Sequence, residues 1–163
     1  MRPAPLSLGS STPRGFTLVE IMIVVVIIGL LAALAIPAFQ RVQRGAQNSR
    51  IMNDFRVFSQ AFETYNIQHG SWPDTAGPGV IPTSPVPMTG DFNAATWQAT
   101  TAVGGRWNWD KGISGIRAGV SISDFTCPVL QLTELDAKFD DGDLTTGHFQ
   151  KVSDTRVTLI LEQ

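Results

Sequence analysis

Glu20 is an acidic residue at the start of an apolar run that lasts to Ile36. An unpaired carboxylate near the start of a membrane-length helix costs about 3 kcal/mol or more in lipid. A cut between Gly15 and Phe16, just upstream, would create a new amine about one helical turn from this carboxylate. The sequence therefore predicts a charge partner for Glu20, and that amine, on this chain or on a neighbour, is the nearest candidate.

A second group of acidic residues lies in the last third of the chain: Asp136, Asp140, Asp141 and Asp143. Closely spaced hard oxygen ligands suit Ca²⁺. The run lacks the spacing of an EF-hand and its final Glu, and a solvated turn between a helix and a strand explains it equally well. Calcium is the one cofactor that these residues suggest.

Trp107 and Trp109 are two residues apart, so on a strand they would share one face. Paired aromatic side chains on a strand can stack on a sugar, or they can cover a sheet and pack under a loop. Both interpretations are open from the sequence alone, and the first would make the chain a membrane-anchored glycan-binding module.

The sequence contains no catalytic constellation. His69 and His148 are far apart and belong to no recognised motif, and the common nucleophile, zinc and phosphate-binding motifs are absent. The single cysteine, Cys127, cannot form an internal disulfide. A formal net charge of −2 gives no reason to expect a nucleic-acid partner. We therefore predict that the chain is not an enzyme.

The N-terminal half of the chain is predicted to form one long helix behind a leader. Residues 1–15 are rich in Pro, Ser and Gly and read as a flexible leader, and residues 16–36 are apolar on all faces and long enough to span a bilayer. Residues 37–69 continue the helix in an amphipathic form. Gly29 and Pro37 are its weak points, although a membrane helix tolerates such residues.

The amphipathic half carries a stripe of large apolar side chains spaced by three and four residues, namely Ile51, Phe55, Phe58, Phe62 and Tyr65. This spacing places them on one face of the helix. We expect the stripe to be the core of a globular head, and we expect the helix to end near His69–Gly70, with Pro73 beyond it.

Residues 70–163 are predicted to form that head. After a Pro- and Gly-rich loop over 71–87 and a short helical turn over 92–97, residues 106–110 and 116–122 read as a hairpin turning near Lys111–Gly112. A helix follows over 128–139, capped by Thr126, with Val129, Leu132, Leu135 and Phe139 as its stripe. Strands over 148–152 and 156–161 close the domain. The predicted class is α+β, a long N-terminal helix packed on a small antiparallel sheet.

The run Gly15–Phe16–Thr17–Leu18–Val19–Glu20 resembles the cleavage and methylation signature of type IV prepilins and type II secretion pseudopilins. Pro37 matches a further position of that family. The segment from Tyr65 through Gly70 to Trp72–Pro73 looks like the helix exit of major pseudopilins. The resemblance is specific over roughly the first third of the chain and loose beyond it.

This resemblance implies a subunit of a filament. A membrane peptidase would cut after Gly15 and methylate Phe16, and Glu20 would pair with the amine of another subunit as the filament grows. The implied partners are the prepilin peptidase, identical or homologous pilin-like subunits, an inner-membrane assembly platform and membrane lipid. The N-terminus would be cytoplasmic and the head periplasmic before assembly.

Several alternatives stay open at this point. Among filament subunits, a type II secretion pseudopilin is favoured by the helix exit and by the missing disulfide, and a type IV pilus subunit is the alternative. An ordinary signal anchor would explain neither Glu20 nor the Gly15–Phe16 junction. A signal peptide cut after Ala33–Leu34–Ala35 would have an unusually long apolar segment that contains Glu20.

Overall fold

The first element is a long helix, α1 (Leu18–His69), in a computed structural model that describes residues 15–163. The predicted leader lies outside these residues, except for Gly15. Pro37 is inside α1, and Gly70, with φ of 69°, follows its last residue. A positive φ is easily adopted by glycine, which explains why the helix stops there.

The chain divides into two compact units, with the boundary between Arg41 and Val42. In the described part of the first unit almost all side chains are exposed, including the large apolar residues from Phe16 to Ile36. Among residues 15–163, α1 is the one helix long and apolar enough to cross a membrane.

The second unit contains a short helix, a four-stranded sheet and a further helix. After α2 (Ala94–Gln98) come β1 (Arg106–Ile113), β2 (Ile116–Ser123), α3 (Val129–Phe139), β3 (Phe149–Ser153) and β4 (Arg156–Glu162). The strand order is β1-β2-β4-β3, and every neighbouring pair is antiparallel. The predicted α+β class and the pilin-like arrangement of a long helix and a small antiparallel sheet are confirmed.

The core of the second unit lies between the aromatic stripe of α1 and one face of the sheet. The five predicted stripe residues are all buried: Ile51, Phe55, Phe58, Phe62 and Tyr65. Edge-to-face contacts join Phe55 and Phe58 to Trp107, with ring centroids 4.7 and 4.9 Å apart. Such contacts are favoured because the positive ring edge meets the negative ring face.

Three details of the head differ from the sequence-based prediction. The first hairpin turns at Ser114–Gly115, where φ is 54° and 80°, and β1 continues through the predicted turn at Lys111–Gly112. Positive φ at both central residues is typical of a tight two-residue hairpin turn. The hairpin therefore turns at Ser114–Gly115 and not at Lys111–Gly112.

The other two differences concern α3. Its N-cap is Pro128, which makes no capping hydrogen bond through its side chain, while the backbone N–H of Thr126 donates to the carbonyl of Val103. Val129 is 51% exposed and is not part of the core, because it occupies the first turn of the helix, whereas Leu132 and Leu135 point inward.

Candidate functional site

Glu20 and Thr17 cap the N-terminus of α1 reciprocally. The backbone N–H of Thr17 donates to Glu20 Oε2 over 2.8 Å, and Thr17 Oγ1 donates to the same oxygen over 2.9 Å. In return, the N–H of Glu20 donates to Thr17 Oγ1 over 3.2 Å. This is a capping box, which satisfies two backbone donors that a helix end otherwise leaves free.

The capping box was missed from the sequence, although the pattern Thr17-x-x-Glu20 is its usual signal. It gives Glu20 a local role in capping α1. An experiment on the function of Glu20 must separate that function from capping. Both can hold together, because an ionised carboxylate accepts several hydrogen bonds and also attracts a cation. Gly15 and Phe16 directly precede the box, so an amine created at Phe16 would lie one residue from the Thr17 N–H that already donates to Glu20.

Gly29 has open space around it. A Cβ added at this position would meet no atom within 4 Å, so nothing in the described chain requires a glycine there. Pro37 removes one backbone donor from the middle of α1. The predicted flexibility of the helix at these two residues stays a prediction.

Trp107 and Trp109 do share one face of β1, as predicted, but that face is turned into the core. The two residues are 1% and 0% exposed. Trp109 stacks on Phe62, and its Nε1–H donates to the carbonyl of Pro73 over 2.9 Å. A buried ring cannot stack on a sugar, so the interpretation of this pair as a glycan-binding surface is wrong, and the packing alternative is correct.

The four acidic residues have different environments. Asp136 is completely buried, and both of its carboxylate oxygens lack a hydrogen-bond partner within the described residues. The others shape the turn after α3. Asp140 accepts a bond from the His148 N–H, Asp141 accepts bonds from the Asp143 N–H and from Thr146 Oγ1, and Asp143 accepts bonds from Thr145.

Burial raises the pKa of Asp136 to about 6, and the negative charges of Asp141, Asp140 and Asp143 contribute to this shift. The hydrogen bonds within the turn lower the pKa values of Asp141 and Asp143. In the part of the chain that the structure describes, no three His, Cys, Asp or Glu side chains are placed to hold a metal ion. Calcium at these residues therefore stays a prediction.

The sheet carries an ion pair that was not expected from the sequence. Arg156 on β4 forms an ion pair with Asp110 on β1 over 3.0 Å, and Asp110 also accepts a hydrogen bond from Asn108 over 2.7 Å. Asp110 is buried, so these partners offset the cost of removing its charge from water. We assign this cluster a structural role.

Comparison with known proteins agrees with the geometry of the N-terminus. Residues 11–36 match the model of the prokaryotic N-terminal methylation motif. The type IV major pilin protein PilE1 of Neisseria gonorrhoeae is 35% identical over 79 residues, which are 48% of this chain and 48% of the relative. The type IV major fimbrial protein FimA of Dichelobacter nodosus is 40% identical over 95 residues, 58% of each chain.

The chain spans about half the length of the curated relatives that it matches. No solved structure matches it. The methylation motif covers the Gly15–Phe16 junction and the apolar segment up to Ile36, which were found in the sequence, and the capping box, which was found in the structure. Residues 11–36 therefore carry the N-terminal methylation motif, and about half of the chain is similar to type IV pilins.

Proposed function

We propose that this chain is a structural subunit of a type IV filament and has no enzymatic role. The observation that carries the proposal is the order of parts at the N-terminus: a Gly15–Phe16 junction, the capping carboxylate of Glu20, and an apolar helix with exposed side chains on all faces. An apolar surface of this extent is stable only in lipid or against other apolar helices.

The proposed mechanism uses these parts in sequence. Residues 1–15 form the leader and residues 16–36 hold the precursor in the inner membrane, with the head in the periplasm. The prepilin peptidase cuts after Gly15 and methylates Phe16. Glu20 attracts the new amine of the next subunit at the assembly platform, and this attraction sets the axial position of the incoming helix. The apolar helices then form the filament core, and bending at Gly29 and Pro37 helps them to pack.

The relatives are named as type IV major pilins and fimbrial proteins, and they support a pilus subunit at least as well as a pseudopilin. We therefore place the pilus subunit first, which reverses the order expected from the sequence. A type II secretion pseudopilin remains the second candidate, because the helix exit from Tyr65 to Trp72–Pro73 and the single Cys127 favour it.

Substitution of Glu20 tests the proposal, and two variants separate its charge from its capping role. Glu20→Ala removes both the charge and the capping group, whereas Glu20→Gln keeps an acceptor for the Thr17 N–H. If the charge recruits the next amine, both variants are processed and inserted normally, and both lose filaments or secreted cargo. Neither loses membrane insertion, because the cost of placing a carboxylate in lipid disappears with the charge.

The measurement is a count of filaments by electron microscopy in cells that express each variant as the only copy, at equal levels of processed protein. Normal assembly of Glu20→Gln would show that capping alone explains this residue. Replacement of a half-exposed acid on the head, Glu134→Gln, is the control and should leave assembly unchanged, because its ion pair with Arg44 is a weak surface contact.

A further inference from the structure

The head carries a surface groove of about 400 Å³ that the filament mechanism above does not use. It lies between one face of α1, the C-terminal end of α3 and the last residues of β4. Its lining includes Arg56, Ser59 and Glu63 from α1, Lys138 and Phe139 from α3, and Leu161 from β4. Three separate elements therefore shape it.

The polar groups of the groove are mostly donors without a partner. Within residues 15–163, neither Arg56 nor Lys138 has a carboxylate oxygen within 4.0 Å, and Glu63 is the one acidic residue in the lining. Ser59, which also borders the groove, is buried, and its hydroxyl oxygen is closed off from solvent with no hydrogen-bond partner in the same part of the chain. The two cations, Arg56 and Lys138, are groups that bind a carboxylate through charge-assisted hydrogen bonds.

The lower part of the groove is apolar and rigidly supported. The ring of Phe139 is stacked on Phe149, with centroids 5.2 Å apart, and meets Phe55 edge-on at 5.5 Å. Leu159 and Leu161 form the other wall. Because core contacts hold this floor in place, the groove is preorganised for a ligand that combines an acid with an apolar neighbour.

Asp124 and Phe125 are such a pair on the surface of the same head. Asp124 is exposed at the end of β2 with φ of 60°, and its carboxylate makes no ion pair or hydrogen bond to any of residues 15–163. The neighbouring acid Asp154 differs, since it pairs with Lys151 over 2.9 Å. Phe125, which follows Asp124, is only partly buried.

The groove and Asp124 lie at opposite ends of β4. The N–H of Asp124 donates to the carbonyl of Thr155, just before β4 begins, whereas Leu159 and Leu161 near its other end line the groove. Thr155 and Ile160 are five positions apart along the chain, which is about 17 Å at the usual rise per residue of a strand. One head therefore cannot place its Asp124 in its own groove, but a second head can.

We propose that the groove lined by Arg56, Lys138 and Phe139 binds Asp124 and Phe125 of a second copy of this chain. The inference rests on the proposed filament function. It adds a contact between two different surfaces of neighbouring heads. A contact between two different patches of identical subunits is heterologous, and it extends into an open helical polymer when the rotation does not close a ring. The groove thus orients each head on its neighbour, in addition to the packing of the apolar helices.

A charge swap tests this contact in the full-length chain. Arg56→Glu with Lys138→Glu should reduce the number of filaments by about tenfold or more, because it places like charges opposite each other. Asp124→Lys alone should have the same effect. The three substitutions combined should restore filaments, since the pair of charges is reversed on both sides. Arg56→Gln with Lys138→Gln, which introduces no repulsion, should give an intermediate loss.

Asp91→Lys is the matched control. Asp91 is also exposed, makes no ion pair among the described residues and is followed by a phenylalanine, but it lies beside Val57 and Thr64, which do not line the groove. Alone it should leave filaments unchanged, and combined with the Arg56 and Lys138 reversals it should not restore them. Circular dichroism and the level of processed protein check that each variant folds.

Failure of the three-residue swap to restore filaments, with normal folding and processing, would overturn this contact. Restoration by Asp91→Lys would overturn it as well, since it would identify a different acid. In both cases wild-type filaments still form and the proposed function stands. If the wild-type chain itself forms no filament and supports no secretion, the proposed function fails, and the contact fails with it.

Discussion

The ring of Phe62 on α1 lies flat against the indole of Trp109 on β1, with centroids 3.9 Å apart and planes inclined by 4°. The same indole donates its Nε1–H to the carbonyl of Pro73 in the loop that follows α1. This pair therefore joins the helix, the first strand and the exit loop in one contact. It explains why the aromatic stripe of the helix and the two tryptophans belong to a single core.

We expect Phe62→Ala to lower the free energy of unfolding of the head by about 3–5 kcal/mol, because it leaves a cavity against Trp109. Chemical denaturation followed by tryptophan fluorescence measures this change. Ile67→Ala is the control on the same helix, since Ile67 is 83% exposed, and its effect should stay within about 0.5 kcal/mol. Equal effects of the two variants would contradict the packing described here.

Processing is expected to leave Phe16 as the first residue, with a methyl group on its amine. The reason is the Gly15–Phe16 junction directly ahead of the capping box and the apolar segment. Intact mass measurement of the membrane-extracted protein tests this expectation. A bulky residue at Gly15, such as Gly15→Leu, should block the cut, and Gly15→Ala serves as the conservative comparison. An intact leader or a first residue at Ile36 would refute the assignment.

A fragment that begins at Gln40 should be a soluble, folded monomer. It lacks the exposed apolar surface of residues 16–36 and keeps the whole of the second unit, which begins at Val42 and includes the buried aromatic stripe. Circular dichroism and size-exclusion chromatography measure folding and mass. An aggregated or unfolded fragment would show that the head depends on the apolar segment.

Asp136 should make the stability of the head depend on pH. Its pKa is raised from 3.8 to about 6 in the folded state, so folding favours the protonated carboxyl. Its contribution to stability is present below pH 4 and is lost as the pH rises to about 6, by up to about 3 kcal/mol. Asp136→Asn should therefore stabilise the head at pH 7 relative to wild type, and have little effect at pH 4.

Unfolding of wild type and Asp136→Asn at several pH values measures this difference, and Asp91→Asn is the exposed control. The same experiment with Ca²⁺ or with a chelator tests calcium binding at the acidic turn. A bound Ca²⁺ would stabilise wild type by neutralising the charge of Asp136. Asp136→Asn would then show no stabilisation by Ca²⁺. A stability difference that does not change with pH would contradict the buried, unpaired state of this carboxylate.

Much of the head could be predicted from short-range patterns. The aromatic stripe of α1 was correct because spacing of three and four residues is a property of the helix itself, and the two hairpins were found because glycine and polar residues mark their ends. Two details that failed were also local. Lys111–Gly112 looked like a turn, but Lys111 pairs with Ala118 within the hairpin. Val129 fitted the apolar stripe of α3, but it is the first residue of that helix and stays exposed.

The sequence by itself determined the Gly15–Phe16 pair, the acid at Glu20 and the apolar segment, because each depends on residues next to one another in the chain. Only the tertiary structure decided that Trp107 and Trp109 face inward, that Asp136 is buried without a partner among the described residues, and that β2 pairs with β4 although α3 and β3 lie between them in the sequence. These outcomes depend on contacts between residues that are far apart in sequence. Periodicity shows which residues share a face, but what covers that face is decided only when the elements pack.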